Sequence, residues 1–228
     1  MRDLATIARM PIPGGWTRQV VKVGEREIPL ILPADADRFL DELEVADSPA
    51  LADPFWARLW PAATSLAGWL LRRTWAAEPA LELGCGVGLV GIAACLAGLR
   101  VTFSDRIAVA VDVAVANARE LGCEEAAGLV FDWASPPSVQ YPVVLASDVL
   151  YDRSQYGALA ATLDRVVAPG GVVYLGDPGR HSVGEFVEQC RRRGYTTTLY
   201  GEDGQVLSHL AAGQFQVLEL RDNHALVV

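Results

Sequence analysis

Short apolar runs alternate along this chain with longer segments whose apolar residues recur at helical spacing. Segments 87–98, 107–121 and 155–167 show that spacing and predict helices. The later apolar runs are nearly continuous, as in parallel strands that are covered on both faces. This alternation predicts an α/β fold in which helices cover both faces of a parallel sheet. The predicted strands are ALEL (80–83), RVTFS (100–104), GLVF (128–131), PVVLAS (142–147) and GVVYLG (171–176).

Both ends of the chain break this alternation. The segment TRQVVKVGEREIPLIL (17–32) predicts a β-hairpin that turns at Gly24. Beyond a predicted helix at 183–193, YTTTLY (195–200) and QFQVLEL (214–220) follow each other without a helix, so they must pair antiparallel. We therefore expect a doubly wound, mostly parallel sheet with a terminal antiparallel hairpin and an N-terminal β-hairpin extension.

Composition narrows the class of protein. The 228 residues are 51% hydrophobic, which is enough for one sizeable core and favours a single domain. The formal net charge of −9 argues against a nucleic-acid partner, since such partners select basic surfaces. The start of the chain, MRDLATIARMPIPGGW, lacks the apolar stretch of a secretory signal, and the longest uncharged run, 83–99, is too short to span a membrane. We expect a soluble, cytoplasmic protein without a membrane partner, and we predict a monomer.

Cysteines and charge clusters point to no further site. No C-x-x-C pair and no histidine at metal-binding spacing accompany the cysteines, so we predict no metal and interpret them as scattered thiols. Residues 35–53 hold seven acidic side chains, which a solvated helix face explains better than a docking patch for a basic protein. In CRRRG (190–194) the arginines fit the last turn of a helix that is capped by Gly194. The cysteines are Cys85, Cys95, Cys123 and Cys190.

The segment LELGCGVGLVGIAA (81–94) predicts a glycine-rich loop between a strand and a helix, where a ligand can approach the backbone. Gly86, Gly88 and Gly91 formally match the dinucleotide fingerprint G-x-G-x-x-G. The match is weak, because the first glycine of that fingerprint directly follows the strand. Counted from Gly84, the third fingerprint glycine is replaced by Leu89. Dinucleotides and S-adenosylmethionine are both ligands of such loops.

Acidic side chains at the strand ends help to choose between these ligands. A carboxylate at Glu82, beside the loop, repels a pyrophosphate and attracts the amine of S-adenosylmethionine. Asp105 ends the next strand, where a carboxylate suits the ribose of either cofactor; the alternative is an acid at the start of a helix. In FDW (131–133), Asp132 suits the exocyclic amine of adenine and Trp133 suits its ring face. A strand-end turn with a packed tryptophan is the alternative for this pair.

These motifs together resemble a known family. ELGCGVG resembles the first motif of class I, seven-β-strand S-adenosylmethionine methyltransferases, and the terminal hairpin fits their Rossmann-like fold. PFWARLWPAATSLAGWLL (54–71), FDW and SDVLYD (147–152) resemble the D-x-x-Y group of protein lysine methyltransferases. GDPGR (176–180) resembles one branch of that group, the electron-transfer-flavoprotein β-subunit lysine methyltransferases with their bacterial and nicotinamide N-methyltransferase-like relatives. The resemblance covers residues 51–180.

The resemblance implies a fold, a cofactor and a reaction. It implies a seven-stranded sheet, S-adenosyl-L-methionine as the cofactor, and transfer of its methyl group to a lysine of a protein substrate. One domain then spans 1–228, with an N-terminal extension (1–50), a cofactor-binding core (51–180) and a C-terminal helix with antiparallel strands (181–228). Trp60 is placed near the methionine end of the cofactor, with a core-anchoring tryptophan as the alternative. The expected cofactor-binding residues are Trp60, Glu82, Gly84, Gly86, Gly88, Asp105, Asp132 and Trp133.

The D-x-x-Y motif supplies the expected catalytic residues, Asp148 and Tyr151, at a strand end where open α/β sheets bind their ligands. We interpret Asp148 as the group that binds an incoming ammonium and orients the amine, and Tyr151 as a wall of the channel or as a hydrogen-bond acceptor. The alternative is an ordinary strand end with Tyr151 in the core. Asp177 and Arg180 are expected to bind substrate, Arg180 by pairing with a substrate carboxylate or a protein acid, and a surface turn is the alternative.

Three other functions stay open on the sequence alone. Within the same class, the acceptor is a small amine or pyridine, as in nicotinamide-type N-methyltransferases. In a second class, the protein is a nicotinamide-dependent oxidoreductase, which Glu82 and Leu89 oppose. In a third, the nucleoside pocket is kept and catalysis is lost. A wide acidic cleft mouth favours a protein acceptor, and a closed aromatic pocket favours a small molecule.

Overall fold

The computed structural model describes residues 2–37 and 54–223, and its central feature is an eight-stranded sheet. The strands lie in the order β5-β4-β3-β6-β7-β10-β8-β9. Strands β3, β4 and β5 therefore follow one another toward one edge of the sheet, and the next strand, β6, lies on the opposite side of β3. That reversal is a topological switch point, the place where open α/β sheets bind ligands. The strands are β3 Pro79–Leu83, β4 Arg100–Asp105, β5 Ala127–Val130, β6 Tyr141–Ser147, β7 Val167–Asp177, β8 Tyr195–Gly201, β9 Val206–Leu207 and β10 Gln216–Asp222.

Helices cover both faces of this sheet and divide the core in two. Along β3, Leu81 and Leu83 belong to the core under two of the helices, whereas Ala80 belongs to the core on the other face. This is the alternation of a strand with two buried faces. Phe103 is fully buried on one face and Phe186 on the other. The helices are α1 Leu4–Ile7, α2 Pro61–Leu71, α3 Leu89–Leu96, α4 Ala108–Glu120, α5 Tyr156–Val166 and α6 Val183–Arg192, with 3-10 turns at Pro54–Ala57 and Arg153–Gln155.

The predicted parallel core is confirmed, with small shifts at its boundaries. Strands β3 to β7 pair in parallel with one another. The helix predicted at 87–98 begins only at Leu89, because the preceding glycines have left-handed backbone angles that a helix cannot include. No helix in the described ranges has the length and apolar content needed to cross a bilayer. Most of the acidic segment 35–53 lies outside the described residues. Residues 224–228 lie outside them as well.

The C-terminal hairpin is confirmed, with a placement that the sequence alone did not indicate. Strand β10 pairs antiparallel with β8, and it also pairs antiparallel with β7, so it inserts between them. Leu218 of β10 lies opposite Leu175 on one side and Leu199 on the other. The short strand β9 adds an eighth strand at the edge beyond the seven that we expected. The insertion makes β10 a central strand, in agreement with the burial of five of its seven residues.

The N-terminal hairpin forms as predicted and contacts the glycine loop through one side chain. Strands β1 (Trp16–Val23) and β2 (Arg26–Pro33) pair antiparallel around a turn that includes Gly24. The amide of the buried Asn117 in α4 exchanges hydrogen bonds of 2.8 and 2.9 Å with the backbone of Ile31. The same amide donates to the carbonyl of Val87 at 3.0 Å. Asn117 thereby connects the hairpin to the loop between β3 and α3.

Candidate active site

A cleft of about 290 Å³ opens at the carboxyl ends of the parallel strands, on both sides of the switch point. Nine of the twelve predicted site residues line it, and they come from four strand ends and from the segment before α2. Three do not line it: Gly88, Asp177 and Arg180. The nine lining residues are Trp60, Glu82, Gly84, Gly86, Asp105, Asp132, Trp133, Asp148 and Tyr151.

The glycine loop passes beneath this cleft with three glycines in left-handed conformation. Their φ angles are 64° at Gly84, 50° at Gly86 and 92° at Gly88, a region that side chains other than glycine rarely adopt. A Cβ on Gly88 would lie 2.8 Å from the Cβ of Ala114, so this glycine permits close packing of the loop on α4. Contact of Gly88 with a cofactor stays a prediction, whereas Gly84 and Gly86 border the cleft directly.

Glu82 is buried behind the loop and is only 2% exposed. Its Oε2 accepts a hydrogen bond of 3.0 Å from the amide of Gly91 in the first turn of α3. A Cβ on Gly91 would lie 2.4 Å from that oxygen, so Gly91 makes room for a carboxylate rather than for a pyrophosphate. Burial raises the pKa of Glu82 well above its usual value, and the nearby Asp105 raises the pKa further. A cation bound at the cleft end of this carboxylate would offset the free-energy cost of burying its negative charge.

Replacing Glu82 with glutamine is expected to stabilise the ligand-free protein at pH 7 while weakening cofactor binding. Because the folded-state pKa is raised, ionised Glu82 opposes folding above its usual pKa of 4.5 and not below it. Urea unfolding should therefore give a more stable variant at pH 7 and equal stabilities near pH 4. Without its anionic partner, a cationic amine loses a charge-assisted hydrogen bond, and S-adenosylhomocysteine affinity should fall about tenfold. The surface variant Glu120→Gln is the control; a Glu82→Gln protein that binds like the wild type contradicts the assignment.

Asp105 ties the end of β4 to the glycine loop. Its Oδ2 accepts a hydrogen bond of 3.1 Å from the amide of Gly86, and its Oδ1 accepts one of 3.0 Å from the amide of Ile107, the residue that precedes α4. The alternative interpretation, an acid at the start of a helix, therefore describes part of its role. The same side chain borders the cleft. A carboxylate oxygen can accept more than one hydrogen bond, which suits this side chain to a ligand hydroxyl.

Asp132 and Trp133 form the turn that follows β5 and also border the cleft. Asp132 is exposed, and its Oδ1 accepts a hydrogen bond of 2.8 Å from the amide of Ala134. Trp133 packs against the core beneath α5, and its carbonyl accepts a hydrogen bond of 3.1 Å from Thr162. The turn fixes the two side chains beside the cleft, so the strand-end turn is compatible with the predicted ligand contacts. Their contacts with adenine stay predictions.

Asp148 follows β6 in an unusual backbone conformation. Its φ angle is 61°, and within 2–37 and 54–223 no other residue except glycine has a positive φ. Such strain costs about 1–3 kcal/mol and concentrates at functional sites. The Asp148 amide donates to the carbonyl of Gly176 at 2.9 Å, which ties the turn to the end of β7. The side chain is buried yet lines the cleft, so the strained backbone places a carboxylate on the cleft wall.

Tyr151 stands at the cleft mouth rather than in the core. It is 52% exposed, which contradicts the alternative of a core tyrosine. Its ring packs against Phe55, with ring centroids 5.3 Å apart, and Phe55 packs in turn against Trp60 at 6.1 Å. Trp60 precedes α2 and donates from its indole nitrogen to the carbonyl of Phe55 at 3.0 Å. These three rings form an aromatic rim on one side of the mouth.

Two of the cleft residues that sequence reasoning missed are Phe55 and Ser147. Phe55 was not among the predicted site residues, but it is 41% exposed and lines the cleft; its position in the same motif as Trp60 was the available signal. Ser147, at the end of β6, also lines the cleft, and its buried hydroxyl has no hydrogen-bond partner in the part of the chain that the structure describes. Buried hydroxyls are usually paired, so this one is suited to a ligand atom.

Asp177 and Arg180 lie behind the cleft wall instead of on it. Asp177 is fully buried, which leaves it no surface to contact a substrate, and its carboxylate binds Arg180. Arg180 pairs with the carboxylates of Asp177 and Asp148. Of the two kinds of partner predicted for it, a substrate carboxylate or a protein acid, the structure shows the protein acid. Arg180 therefore contacts Asp148 directly, and Asp177 is connected to Asp148 through Arg180. The surface-turn alternative does not describe Asp177, because a surface turn would leave its carboxylate in solvent.

The sheet order and the position of the cleft define a class I methyltransferase fold. A crystal structure of the N-methyltransferase NodS from Bradyrhizobium japonicum aligns with a TM-score of 0.57 at 18% identity, covering 81% of this chain and 98% of that one. At such low identity the likeness concerns the fold. The family assignment comes from the sequence, since residues 51–191 match the family model described as lysine methyltransferase. The chain belongs to the lysine methyltransferase family.

Two curated relatives show how far the similarity extends. The electron transfer flavoprotein β-subunit lysine methyltransferase of Danio rerio is 31% identical over 141 residues, which are 56% of this chain and 51% of the relative. The EEF1A lysine methyltransferase 3 of Mus musculus is 33% identical over 128 residues, which are 52% of this chain and 54% of the relative. The chain thus spans about half the length of the curated relatives that it matches.

Proposed function

We propose that this protein transfers a methyl group from S-adenosyl-L-methionine to a lysine side chain of a protein substrate. The observation that carries the proposal is Asp148, a strained carboxylate on the wall of the cleft at the switch point of the sheet. The relatives named above are lysine methyltransferases of protein substrates by name, which supports the same acceptor class. The monomeric state, the cytoplasmic location and the division of the domain at residues 50 and 180 stay predictions.

The residues of the cleft fit the proposed cofactor. Glu82 supplies a buried carboxylate for an amine, and the open backbone of the glycine loop can approach the ligand. Asp105 supplies acceptors suited to ribose hydroxyls, and the buried hydroxyl of Ser147, unpaired within the described ranges, can bond a further polar atom. S-adenosylmethionine would supply an electrophilic methyl group on a cationic sulfur. The same carboxylate beside the loop opposes the pyrophosphate of a nicotinamide cofactor.

The chain contributes mainly positioning to such a reaction. Holding two reactants in line supplies about 7–11 kcal/mol of the barrier. A lysine amine also has to lose a proton, and at a usual pKa near 10.4 this costs roughly 4–5 kcal/mol at pH 7. Asp148 binds the ammonium at the cleft wall and keeps the nitrogen oriented once its proton has passed to solvent water at the open mouth. The aromatic rim of Phe55, Trp60 and Tyr151 packs along one side of the aliphatic stem of the side chain.

The shape of the mouth favours a protein acceptor over a small molecule. Phe55 and Tyr151 are both substantially exposed, and Asp132 is exposed at the far side of the cleft. A pocket built for a small pyridine would enclose its aromatic walls, since small-molecule sites bury most of the ligand surface. Exposed rings beside a carboxylate instead suit a long aliphatic chain that ends in a cation and projects from a larger surface.

Transfer of labelled methyl groups tests the proposal. Purified protein is incubated with tritiated S-adenosylmethionine and a dialysed lysate of the source organism, and in parallel with the small-molecule ultrafiltrate of that lysate. Label is expected in a discrete protein band, with the methyl groups on lysine by mass spectrometry. Label only in the ultrafiltrate favours the small-amine alternative. Thermal stabilisation by NAD, and not by S-adenosylhomocysteine, would overturn the whole assignment.

A further inference from the structure

The loop after β7 reaches the D-x-x-Y turn and binds Asp148 by both backbone and side chain. The carbonyl of Gly176 accepts the Asp148 amide at 2.9 Å. Four residues further along, the Nη2 of Arg180 donates to the Oδ1 of Asp148. Strands β6 and β7 are neighbours in the sheet, so their carboxyl ends bring these groups together although 32 residues separate Asp148 from Arg180.

Asp177 holds Arg180 in place from behind. Its Oδ1 accepts hydrogen bonds from the amides of Gly179 and Arg180 at 2.7 and 2.8 Å. Its Oδ2 accepts one of 2.9 Å from the Nη1 of Arg180. Both oxygens of the buried carboxylate are therefore used within the loop. The guanidinium is fixed at one end by Asp177 and binds Asp148 with the other.

A second contact, independent of these charges, holds the same two segments together. The hydroxyl of the buried Tyr156 lies 2.7 Å from the hydroxyl of Ser182, and it also donates to the carbonyl of Leu150 at 3.1 Å. Tyr156 thus connects the turn after Asp148 to the loop after Arg180. Loss of the Arg180 contact would change the direction of one carboxylate while this connection preserves the fold around it.

Charge and hydrogen-bond capacity suit this network to a cationic acceptor. Two carboxylates share one guanidinium, which leaves one negative charge unbalanced beside the cleft. The Oδ2 of Asp148 accepts no hydrogen bond from any residue in the described ranges, and Asp148 lines the cleft while Arg180 does not. Burial lowers the pKa of Arg180, but its hydrogen bonds to Asp148 and Asp177 outweigh burial and raise it, so the guanidinium stays charged.

We propose that Arg180, anchored by Asp177, is a positioning residue that binds one oxygen of Asp148 and leaves the other for the nitrogen of the methyl acceptor. This inference rests on the proposed function and adds a residue to its site. Arg180 does not touch the acceptor itself. Its charge compensates one of the two carboxylates that it binds, so that the cluster of Asp148, Asp177 and Arg180 retains one negative charge for one ammonium group.

Arg180→Met and Arg180→Lys test this role in the full chain. Methionine keeps an unbranched apolar stem and removes the charge, and lysine keeps the charge without the planar fork that contacts two carboxylates. Tritiated S-adenosylmethionine and the dialysed lysate serve as donor and acceptor pool. The kcat of Arg180→Met is expected to fall about tenfold, as for the loss of one charge-assisted hydrogen bond at the reacting group. Arg180→Lys is expected to recover part of that loss.

The readout separates positioning from a structural role. S-adenosylhomocysteine affinity and the KM for S-adenosylmethionine should stay within about twofold of the wild type, because Arg180 does not line the cleft. Arg191→Met, which removes an exposed arginine that pairs with Glu188, is the matched control and should retain full activity. Should Arg180→Met not fold, Asp177→Asn gives the same test, because its side-chain oxygen keeps the amide contacts while the charge is lost.

Two results would overturn the inference. One is a wild-type kcat in Arg180→Met, or in Asp177→Asn where that variant replaces it. The other is a parallel fall in kcat, cofactor affinity and melting temperature that lysine does not relieve, which would mark a purely structural residue. A wild-type protein that labels no acceptor at all would overturn the proposed function instead, and it is distinguished by the absence of activity before any substitution is made.

Discussion

Replacing Asp148 with asparagine is expected to lower the kcat for methyl transfer by about 10²- to 10³-fold, the range for a lost positioning or proton-handling group. S-adenosylhomocysteine affinity should change by no more than about twofold, because the loss falls on the acceptor and the reacting nitrogen. Asparagine is the informative substitution here. It tolerates the left-handed backbone that Asp148 adopts, with φ at 61°, so the strained turn survives the change.

Single-turnover labelling beside calorimetric titration with S-adenosylhomocysteine measures the two quantities separately. Asp164→Asn is a suitable control, since Asp164 on α5 is a surface carboxylate that pairs with Arg193 away from the cleft. It should transfer methyl groups at the wild-type rate. Normal turnover by Asp148→Asn would show that this carboxylate neither binds nor orients the acceptor. Loss of S-adenosylhomocysteine binding together with turnover would assign Asp148 to the cofactor instead.

The alternation of apolar runs was enough to predict the order of the elements, because burial on both faces constrains every residue of a central parallel strand. Leu81 and Leu83 face one core and Ala80 faces the other, so no position of β3 can be polar without a reason. Glu82 is the exception, and its position beside the glycine loop was the signal of a site. The insertion of β10 between β7 and β8 could not be predicted, since two adjacent strands pair antiparallel in either order.

Within the candidate site, too, some features could be predicted from the sequence and others could not. Carboxyl ends of neighbouring parallel strands meet at one edge, so Glu82, Asp105 and Asp148 could be brought together from their positions in the sequence. The direction in which each of these side chains points could not be predicted. Gly91 was considered as a fingerprint glycine, but its hydrogen is needed because the Glu82 carboxylate occupies the space of a side chain. Arg180 was assigned to the substrate, although the fold turns it toward Asp148.

Asp105→Ala is expected to weaken S-adenosylhomocysteine binding by about 10²-fold, measured by calorimetry. The substitution removes acceptors for the amides of Gly86 and Ile107, and it also removes the proposed acceptors for the ribose. These two losses have to be separated, because a disordered loop would lower affinity without any contact to the sugar. Comparing S-adenosylhomocysteine with its 2′-deoxy analogue separates them by a double-mutant cycle.

The cycle has a definite expected result. If the Asp105 carboxylate binds the 2′-hydroxyl, the wild type should prefer the hydroxylated ligand by about tenfold, and Asp105→Ala should show no preference. A preference of equal size in both proteins would confine Asp105 to holding the loop. Asp112→Ala is the matched control on α4, where the carboxylate faces Arg2 at 3.6 Å, and it should keep both the affinity and the preference. Because both ligands meet the same loop in each protein, the difference between their affinities reports only the contact with the sugar.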